Sequence, residues 1–364
     1  MRRKSVPAIF MSLFCNLTFS VLAVAVAPGA ALADDFGSAY FPALQGDVQL
    51  IQTPNPLGHP EFIQAIQNAV QKIDMVMYHL TDKSVAQALA AAVERGVAVR
   101  VIVDRASMKS AGYQAAYNEL LSAHINARPS SSGFNITHQK TIVVDDQTAF
   151  VTAINLTRSS ADSRDFGVIV SDPAVVAEMD SVFETDWADY DNGQNTTPAL
   201  SNANLAWSPV SSKTKLSQLI SSASSSIILT TENLGDNDIT DLLDAAAARG
   251  VVVQIIVPQC DLNPNPAYNI PAVRKVTSAG VDARVMPAPS SPQLPYMHSK
   301  MMVIDGHTVY IGSINLSYNS LTQARELGII FDSQVIASQL GAVFASDWSL
   351  AIQAPAVNVT CPSF

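Results

Sequence analysis

The chain has 364 residues, of which 48% are hydrophobic and 14% are charged. This length allows one large domain or two of ordinary size, and this composition can form a substantial buried core. The formal net charge is −10. Proteins that bind long nucleic acids tightly and without sequence preference usually present a basic face, so the charge argues against that class, although a local basic groove is compatible with it.

The first 33 residues have the pattern of a secretory signal peptide. A basic segment at positions 2–4 precedes a mostly apolar stretch at positions 9–27, and an Ala-Leu-Ala cleavage site ends at Ala33. The alternative is a retained membrane anchor, since the apolar stretch is long, but polar residues interrupt it at positions 16, 18 and 20. We predict cleavage after Ala33 and a secreted or periplasmic protein. Its net charge would be −13, because residues 1–33 contain three cations and no acids.

The cysteines agree with export. Cys15 would leave with the signal peptide, so Cys260 and Cys361 would remain in an oxidising compartment. Two such cysteines are expected to form one disulfide, with two separate thiols as the alternative.

The remaining chain is an internal duplication. Residues 73–104 align without gaps on residues 227–258, and in each copy an apolar strand, an Ala/Leu-rich helix ending in Arg-Gly and a β-branched strand follow one another. Downstream, "SRDFGVIV" matches "ARELGII" and "VFETDW" matches "VFASDW". We predict an α/β fold with two similar βαβ-rich halves, largely parallel sheets and a pseudo-twofold axis between them. The expected boundaries are 34–190 for the first half, 191–204 for a linker and 205–364 for the second half.

A polar motif occurs once in each half, as "HQKTIVVD" from His138 and "HSKMMVID" from His298. Side chains alternate along a strand, so each histidine should share a face with the lysine two residues later. The aspartate five residues after the lysine has the opposite parity and stands at a turn signal, which favours a structural role. One such pair could be a solvated edge-strand feature. Two copies at matching positions indicate instead a shared anion site between the halves.

These residues resemble the His-x-Lys-(x4)-Asp signature of the phospholipase D superfamily, and the second copy continues with that family's Gly-Ser-x-Asn at residues 312–315. The resemblance covers nearly all of the predicted mature chain. It implies a phospholipase D-like fold with the active site at the interface of the halves. It also implies a two-step phosphodiester exchange through a phosphohistidine, with no metal and no cofactor.

The resemblance also assigns roles. His138 would be the nucleophile and His298 the general acid and base, an order that the symmetry leaves open. The expected helpers are phosphate-binding Lys140, Lys300, Asn155, Asn315 and Ser313, histidine-orienting Asp165 and Glu326, and the supporting motif residues Asp145 and Asp305.

One departure from the family pattern makes a symmetric phosphate grip doubtful. The first half has Thr-Ala-Ile-Asn at residues 152–155, so Ala153 lacks the hydroxyl of Ser313. Outside the motifs, His79 follows the first repeated strand and is the other histidine that we place near the cleft. The loops at 128–137 and 287–295 precede the two motifs and would flank it.

We therefore expect an exported phospholipase D-type hydrolase, monomeric because both motifs lie in one chain, that acts transiently on phospholipid surfaces. The alternatives are an exported nuclease or general phosphodiesterase, which the acidic charge disfavours, and a phosphatidyl transferase. A catalytically dead scaffold would be expected to have lost a motif histidine or lysine, yet all four are present.

Overall fold

The structure is a computed structural model that describes residues 41–261, 267–291, 293–355 and Cys361. The predicted signal peptide and its cleavage site lie outside the described residues. The described residues belong to one compact unit. Among them, no helix combines the length and the apolar character needed to cross a bilayer.

The first half supplies one seven-stranded sheet and its covering helices. Its strands are Val48–Thr53 (β1), Lys72–Met77 (β2), Ala98–Val103 (β3), Asn126–Pro129 (β4), Lys140–Val144 (β5), Thr148–Thr152 (β6) and Asp165–Val170 (β7). Its helices are Pro60–Asn68 (α1), Lys83–Glu94 (α2), Ala111–Ser122 (α3) and Pro173–Asn192 (α4), with short 3₁₀ turns at Ala106–Lys109 and Ser159–Asp162.

The second half repeats this order in an eight-stranded sheet. Its strands are Leu205–Ser208 (β8), Ser226–Thr230 (β9), Val252–Pro258 (β10), Asp282–Met286 (β11), Met301–Ile304 (β12), Thr308–Gly312 (β13), Glu326–Asp332 (β14) and Ile352–Gln353 (β15). Its helices are Ser212–Ser222 (α5), Asn237–Ala248 (α6), Ile270–Ser278 (α7), Tyr318–Thr322 (α8) and Gln334–Leu350 (α9).

The aligned helices α2 and α6 begin and end where the sequence predicts. The carboxylate of Asp82 accepts hydrogen bonds from the second and third backbone N–H groups of α2, and that of Asp236 accepts one from the third N–H group of α6. After each helix comes one arginine and then a glycine with positive φ, Gly96 at 86° and Gly250 at 90°. The repeated Asp and Arg-Gly signals therefore fix the same helix twice.

Both sheets are mixed. In the order β1-β7-β6-β5-β2-β3-β4, the pairings β2·β3 and β3·β4 are parallel, and the second sheet has the matching parallel pairings β9·β10 and β10·β11. The predicted parallel pairing thus holds for the three strands of each half that helices connect. The other neighbours are antiparallel. Among them, β5 and β6 are joined by a tight hairpin, and so are β12 and β13. Asp145, Asp146, Asp305 and Gly306 have the positive φ angles of such hairpins.

The two halves pack face to face around a common core. Side chains of β6 and β7 such as Val151 and Phe166 belong to the same buried cluster as Met301 and Ile311 of the second sheet. Helices α4 and α9 cover this cluster with apolar faces.

Two arginine–aspartate pairs cross between the halves in the described part of the chain. Arg325 binds both carboxylate oxygens of Asp186 at 2.9 and 2.8 Å, and Arg164 binds those of Asp347 at 2.7 and 3.0 Å. The two aspartates come from the repeated "VFETDW" and "VFASDW" segments. The aspartate of each repeated segment therefore binds an arginine of the other half, which stands directly before β7 or β14.

A disulfide joins Cys260 to Cys361, the pairing expected from the sequence, with the Cα atoms 5.7 Å apart and a sequence separation of 101. It ties the C-terminal segment to the residues that follow β10.

Candidate active site between the two halves

Each motif histidine lies just before a central strand of its own sheet and beside a strand of the other half. His138 precedes β5 and its backbone N–H donates to the carbonyl of Arg325 at 3.0 Å. His298 precedes β12 and donates in the same way to Arg164 at 3.1 Å. Parallel bridges between Thr137 and Arg325 and between Arg164 and Met297 complete this symmetric exchange. The two motifs consequently meet where β7 and β14 begin.

The carboxylates predicted to orient the histidines do lie against them, and each comes from the opposite half. Nδ1 of His138 lies 2.7 Å from Oε2 of Glu326, and Nδ1 of His298 lies 2.8 Å from Oδ1 of Asp165. Both carboxylates are fully buried. With each Nδ1 held in this way, the two Nε2 atoms are the nitrogens available for reaction. The ring centroids are 6.5 Å apart, so one phosphorus atom fits between them.

The motif lysines are buried beneath the histidines. Nζ of Lys140 donates to the carbonyl of His138 at 2.7 Å, and Nζ of Lys300 donates to the carbonyl of His298. Lys140 also lies 4.8 Å from the ring centre of Tyr78. Among the described residues, no group donates to the buried Oδ1 of Asn155, so a hydroxyl or N–H group of a ligand could donate to it.

Burial sets the protonation of the first-half histidine and its neighbours. Burial, with the positive charges of Lys140 and Lys300, holds the pKa of His138 well below its usual range. Burial also lowers the pKa of Lys140 to about 7, and the charge of Lys300 adds to this. Burial raises the pKa of Glu326 to about 8 against the opposing charge of Lys140. His138 is therefore neutral at neutral pH, as a nucleophile must be.

A third carboxylate, which the sequence analysis missed, stands in the site itself. Oε2 of Glu232 lies 3.1 Å from Nζ of Lys300 and 3.5 Å from Nε2 of His298. Burial opposes its ionisation, but the charges of Lys300 and His298 outweigh burial and keep the pKa of Glu232 below its usual range. In the aligned halves its counterpart is Tyr78, so a search for repeated residues flags neither position. Its one signal is an acidic residue directly after a buried strand, "SIILTTE".

Three predicted site residues do not reach the site. Asp145 and Asp305 lie at the far ends of β5 and β12, about 20 Å along the strand from the histidines at 3.3 Å per residue. Asp145 accepts hydrogen bonds from the backbone N–H groups of residues 70–72, and Asp305 from those of residues 224–226. Strand parity favoured a structural role for both, and these contacts hold a neighbouring loop. Ser313 is fully buried with its hydroxyl 3.3 Å from the Leu327 carbonyl, so it does not face a phosphate either.

The missing hydroxyl of Ala153 is compensated from a different position. In the first half the hydroxyl of Ser163 donates to Asp165 at 2.8 Å. In the second half Ala324 stands at the position that aligns with Ser163, and Ser313 lies beside Glu326 instead. Each orienting carboxylate thus has a serine neighbour from its own half.

His298 opens into a cleft of about 940 Å³. His79 lines it and is stacked between the rings of Tyr78 and Tyr113, at centroid distances of 3.7 and 4.1 Å. The loop at 287–295 contributes Ser290 and Ser291, as expected, whereas none of the described residues at 128–137 lines the cleft. The described lining residues also include no lysine or arginine.

The one close group of three potential metal ligands among the described residues is Asp74, Asp180 and Glu184, none of which lines the cleft. Arg100 pairs with Asp74 at 2.7 Å and with Glu184 at 2.6 Å, and Lys72 pairs with Asp180 at 2.5 Å. These carboxylates therefore already have cationic partners within the protein.

Comparison with known families agrees with this geometry. The family model described as "Cardiolipin synthase, PLD-like domain" matches residues 62–187 and 216–348, one match in each half and well over half of the chain. The chain belongs to the phospholipase D superfamily. The superfamily comprises phosphodiesterases and phosphatidyl transferases, and the paired histidines described above are the centre that such chemistry needs.

Relatives of this superfamily member carry several activities in their names. Phospholipase D Z of Dictyostelium discoideum is 23% identical over 80% of this chain and 84% of its own length. Cardiolipin synthase A of Proteus mirabilis is 24% identical over 76% of this chain and 64% of its own. The 5'-3' exonuclease PLD3 of Xenopus tropicalis is 35% identical, but over only 32% of this chain and 22% of its own.

A solved structure supports the fold of this superfamily member. The phosphatidylserine synthase of Haemophilus influenzae matches with a TM-score of 0.67 at 12% identity, over 86% of this chain and 88% of that one. At this identity the similarity establishes the architecture alone.

Proposed function

We propose that this protein is an exported, monomeric phospholipase D-type phosphodiesterase that hydrolyses the headgroup phosphodiester of glycerophospholipids. The observation that carries the proposal is the pair of imidazoles, each aligned by a carboxylate of the other half, with His298 opening into the cleft. A net charge of −10 and the lack of lysine and arginine among the described lining residues disfavour a polyanionic substrate. Of two relatives matched over most of both chains, one is named a phospholipase D and the other a cardiolipin synthase.

The proposed reaction has two steps. His298 gives a proton to the leaving group in the first step and takes one from water in the second. The Nε2 lone pair of His138 attacks phosphorus, and the P–O bond to the headgroup breaks as His298 gives its Nε2 proton to the departing oxygen. His298, now neutral, takes a proton from water, whose oxygen attacks phosphorus and breaks the P–N bond. The products are a phosphatidic acid and the free headgroup alcohol. Lys140 and Lys300 would balance the charge on the phosphoryl oxygens, and the amide of Asn155 would donate a hydrogen bond to them.

The assignment of His138 as nucleophile rests on its surroundings. Its lowered pKa keeps the ring neutral, and because Nδ1 faces the carboxylate of Glu326, Nε2 carries the lone pair. Nε2 of His298 lies 3.5 Å from the carboxylate of Glu232, an acceptor for an N–H group there. An activated diester separates the two roles, because p-nitrophenolate needs no acid to leave. His298→Ala should then release one equivalent of p-nitrophenol and retain a phosphoryl group on His138, detectable by mass spectrometry. Phosphorylation of His298 in a His138→Ala variant would reverse the assignment.

A second candidate function is cleavage of single-stranded nucleic acid. The stack of Tyr78, His79 and Tyr113 presents aromatic surface at the cleft, on which a base could stack. The local identity to an exonuclease points the same way.

The deciding assay uses protein from Asp34 onward, in EDTA, on phosphatidylcholine vesicles and on single- and double-stranded DNA. His138→Ala tests the site, and His307→Ala is the matched control, because His307 lies in the β12–β13 hairpin with 53% of its side chain exposed. Choline release that His138→Ala abolishes and His307→Ala preserves supports the proposal. DNA cleavage with intact lipid would replace it with the nuclease. Transfer to added glycerol in place of hydrolysis would make the protein a phosphatidyl transferase.

A further inference from the structure

The carboxylate of Glu232 occupies a position suited to a phosphoryl oxygen. Its Oε2 is surrounded by Nζ of Lys300 at 3.1 Å, Nδ2 of Asn315 at 3.4 Å and Nε2 of His298 at 3.5 Å. The hydroxyl of Tyr296 donates to Oε1 at 2.8 Å and fixes the other end of the group. Lys300 and Asn315 are the second-half groups expected to bind the phosphoryl oxygens, and His298 is the expected general acid and base.

Among the described residues of the first half, no carboxylate stands at the equivalent position. Tyr78 stands at the aligned position, with its ring centre 4.8 Å from Nζ of Lys140 and 4.7 Å from the ring of His138. Oδ1 of Asn155 is buried and has no partner among the described residues, whereas Oδ1 of Asn315 accepts a hydrogen bond from the backbone of Asn233 at 3.1 Å. Beside Lys140 the first half therefore presents the neutral Tyr78, whereas a carboxylate already occupies the side that holds Lys300 and Asn315.

A fixed negative charge next to an anion site acts on ligands according to their charge. A phosphodiester carries one negative charge, whereas a phosphomonoester carries nearly two above its second pKa of about 6. Coulomb repulsion from a nearby carboxylate is twice as large for the dianion, and this repulsion is strong in a buried site. Glu232 is 8% exposed, so water screens it little.

We propose that Glu232 is a specificity-determining residue that occupies the second-half phosphoryl-oxygen position and selects monoanionic phosphodiesters over dianionic phosphates. This role rests on the proposed function and deepens it, because hydrolysis turns a diester into a monoester. Repulsion by Glu232 favours the departure of that monoester product. When a diester binds, its oxygen takes over Lys300 and Asn315, and the Glu232 side chain turns away with its bond to Tyr296.

The test compares Glu232→Gln with the wild type, with Glu94→Gln as the matched control. Glu94 is an exposed residue of α2, so its substitution changes the net charge equally without touching the site. The probes are bis(p-nitrophenyl) phosphate as diester substrate and inorganic phosphate as competitor, at about pH 8. Glu232→Gln should lower the inhibition constant of phosphate roughly tenfold while the KM of the diester falls less than about threefold. Glu94→Gln should change neither.

Binding of phosphate to His138→Ala protein, with and without Glu232→Gln, gives a readout that needs no turnover. Calorimetry should show the same roughly tenfold gain in phosphate affinity. If Glu232→Gln does not fold, Glu232→Asp replaces it, with a smaller change in the same direction expected because the shorter side chain withdraws the charge from Lys300.

Equal changes in the phosphate and diester constants, or no change in either, would overturn the proposal. A fall in kcat with an unchanged phosphate constant would also overturn it, and would assign Glu232 to proton transfer. None of these measurements uses lipid. A protein inactive on phosphatidylcholine that still shows the phosphate effect would refute the lipid substrate and support the role of Glu232.

Discussion

The ion pair between Arg325 and Asp186 offers a quantitative test of how the halves are joined. Arg325 is 1% exposed and makes a two-pronged contact with Asp186, with the rings of Phe134 and Trp207 about 5 Å from its guanidinium carbon. Asp186→Ala would leave this cation buried without its partner. Breaking a buried pair in this way typically costs about 3–5 kcal/mol of the free energy of unfolding.

The symmetry of the fold supplies the control. The equivalent pair of Arg164 with Asp347 has the same geometry, but the arginine side chain is 14% exposed and also donates to the Thr53 carbonyl at 2.7 Å. Asp347→Ala leaves an arginine that water can reach and that retains a partner. We expect a smaller loss, about 1–2 kcal/mol, between the values for surface and buried pairs.

A double substitution tests the reason for the loss. Burial raises the pKa of Asp186 although Arg325 opposes this, so the pair has not recovered the full cost of its desolvation. Asp186→Leu combined with Arg325→Met removes both charges and should therefore be more stable than Asp186→Ala alone.

Guanidinium unfolding, followed by tryptophan fluorescence and circular dichroism, measures all of these variants. Coincident transitions are needed before free energies are compared. Equal losses for Asp186→Ala and Asp347→Ala would refute the argument from burial. A double variant less stable than Asp186→Ala would refute the argument from uncompensated charge.

Three further predictions follow from the site and its supports. The kcat/KM for a diester should peak between pH 7 and 8, because Lys140 loses its charge above about pH 7 and Glu326 gains a proton below about pH 8. In a pH–rate profile, Lys140→Arg should move the alkaline limb to higher pH. An alkaline limb that does not move would contradict the assignment to Lys140. Reduction of the Cys260–Cys361 disulfide should lower the free energy of unfolding by about 2–4 kcal/mol, measured with and without reductant, and reductant should not affect a double serine variant. Asp305→Ala should cost about 1–3 kcal/mol in a denaturation curve by removing the acceptor of three backbone N–H groups, with kcat nearly unchanged; a large fall in kcat of fully folded protein would return this residue to the catalytic machinery.

Local signals were sufficient for much of the fold and for the reacting groups. The Asp and Arg-Gly boundaries of α2 and α6 depend on contacts within a few residues, and so does the hairpin at Asp305. The histidines and lysines were identifiable because the duplication repeats them. Apart from that hairpin, the antiparallel neighbours in each sheet were not predicted, since β5, β6 and β7 are buried along almost their whole length and show no regular alternation of polar and apolar residues.

The arrangement across the interface could not be obtained from local patterns. Asp165 and Glu326 were correctly expected beside histidines, but their exchange between the halves depends on how the two sheets pack. Glu232 escaped notice because the repeat comparison seeks identical residues and its counterpart is a tyrosine. Strand parity argued against Asp305 in the site, and the structure agrees with parity rather than with the family signature.

The exchanged carboxylates have a consequence for how such a chain arises. A single half contains a histidine but not the carboxylate that orients it, so two copies of one half would have to associate about a twofold axis to complete both centres. In such a homodimer any substitution appears in both copies, and a carboxylate facing one histidine would face the other as well. Joining the copies in one polypeptide removes that constraint. The tyrosine at position 78 and the glutamate at position 232 are a difference that only the fused chain can maintain.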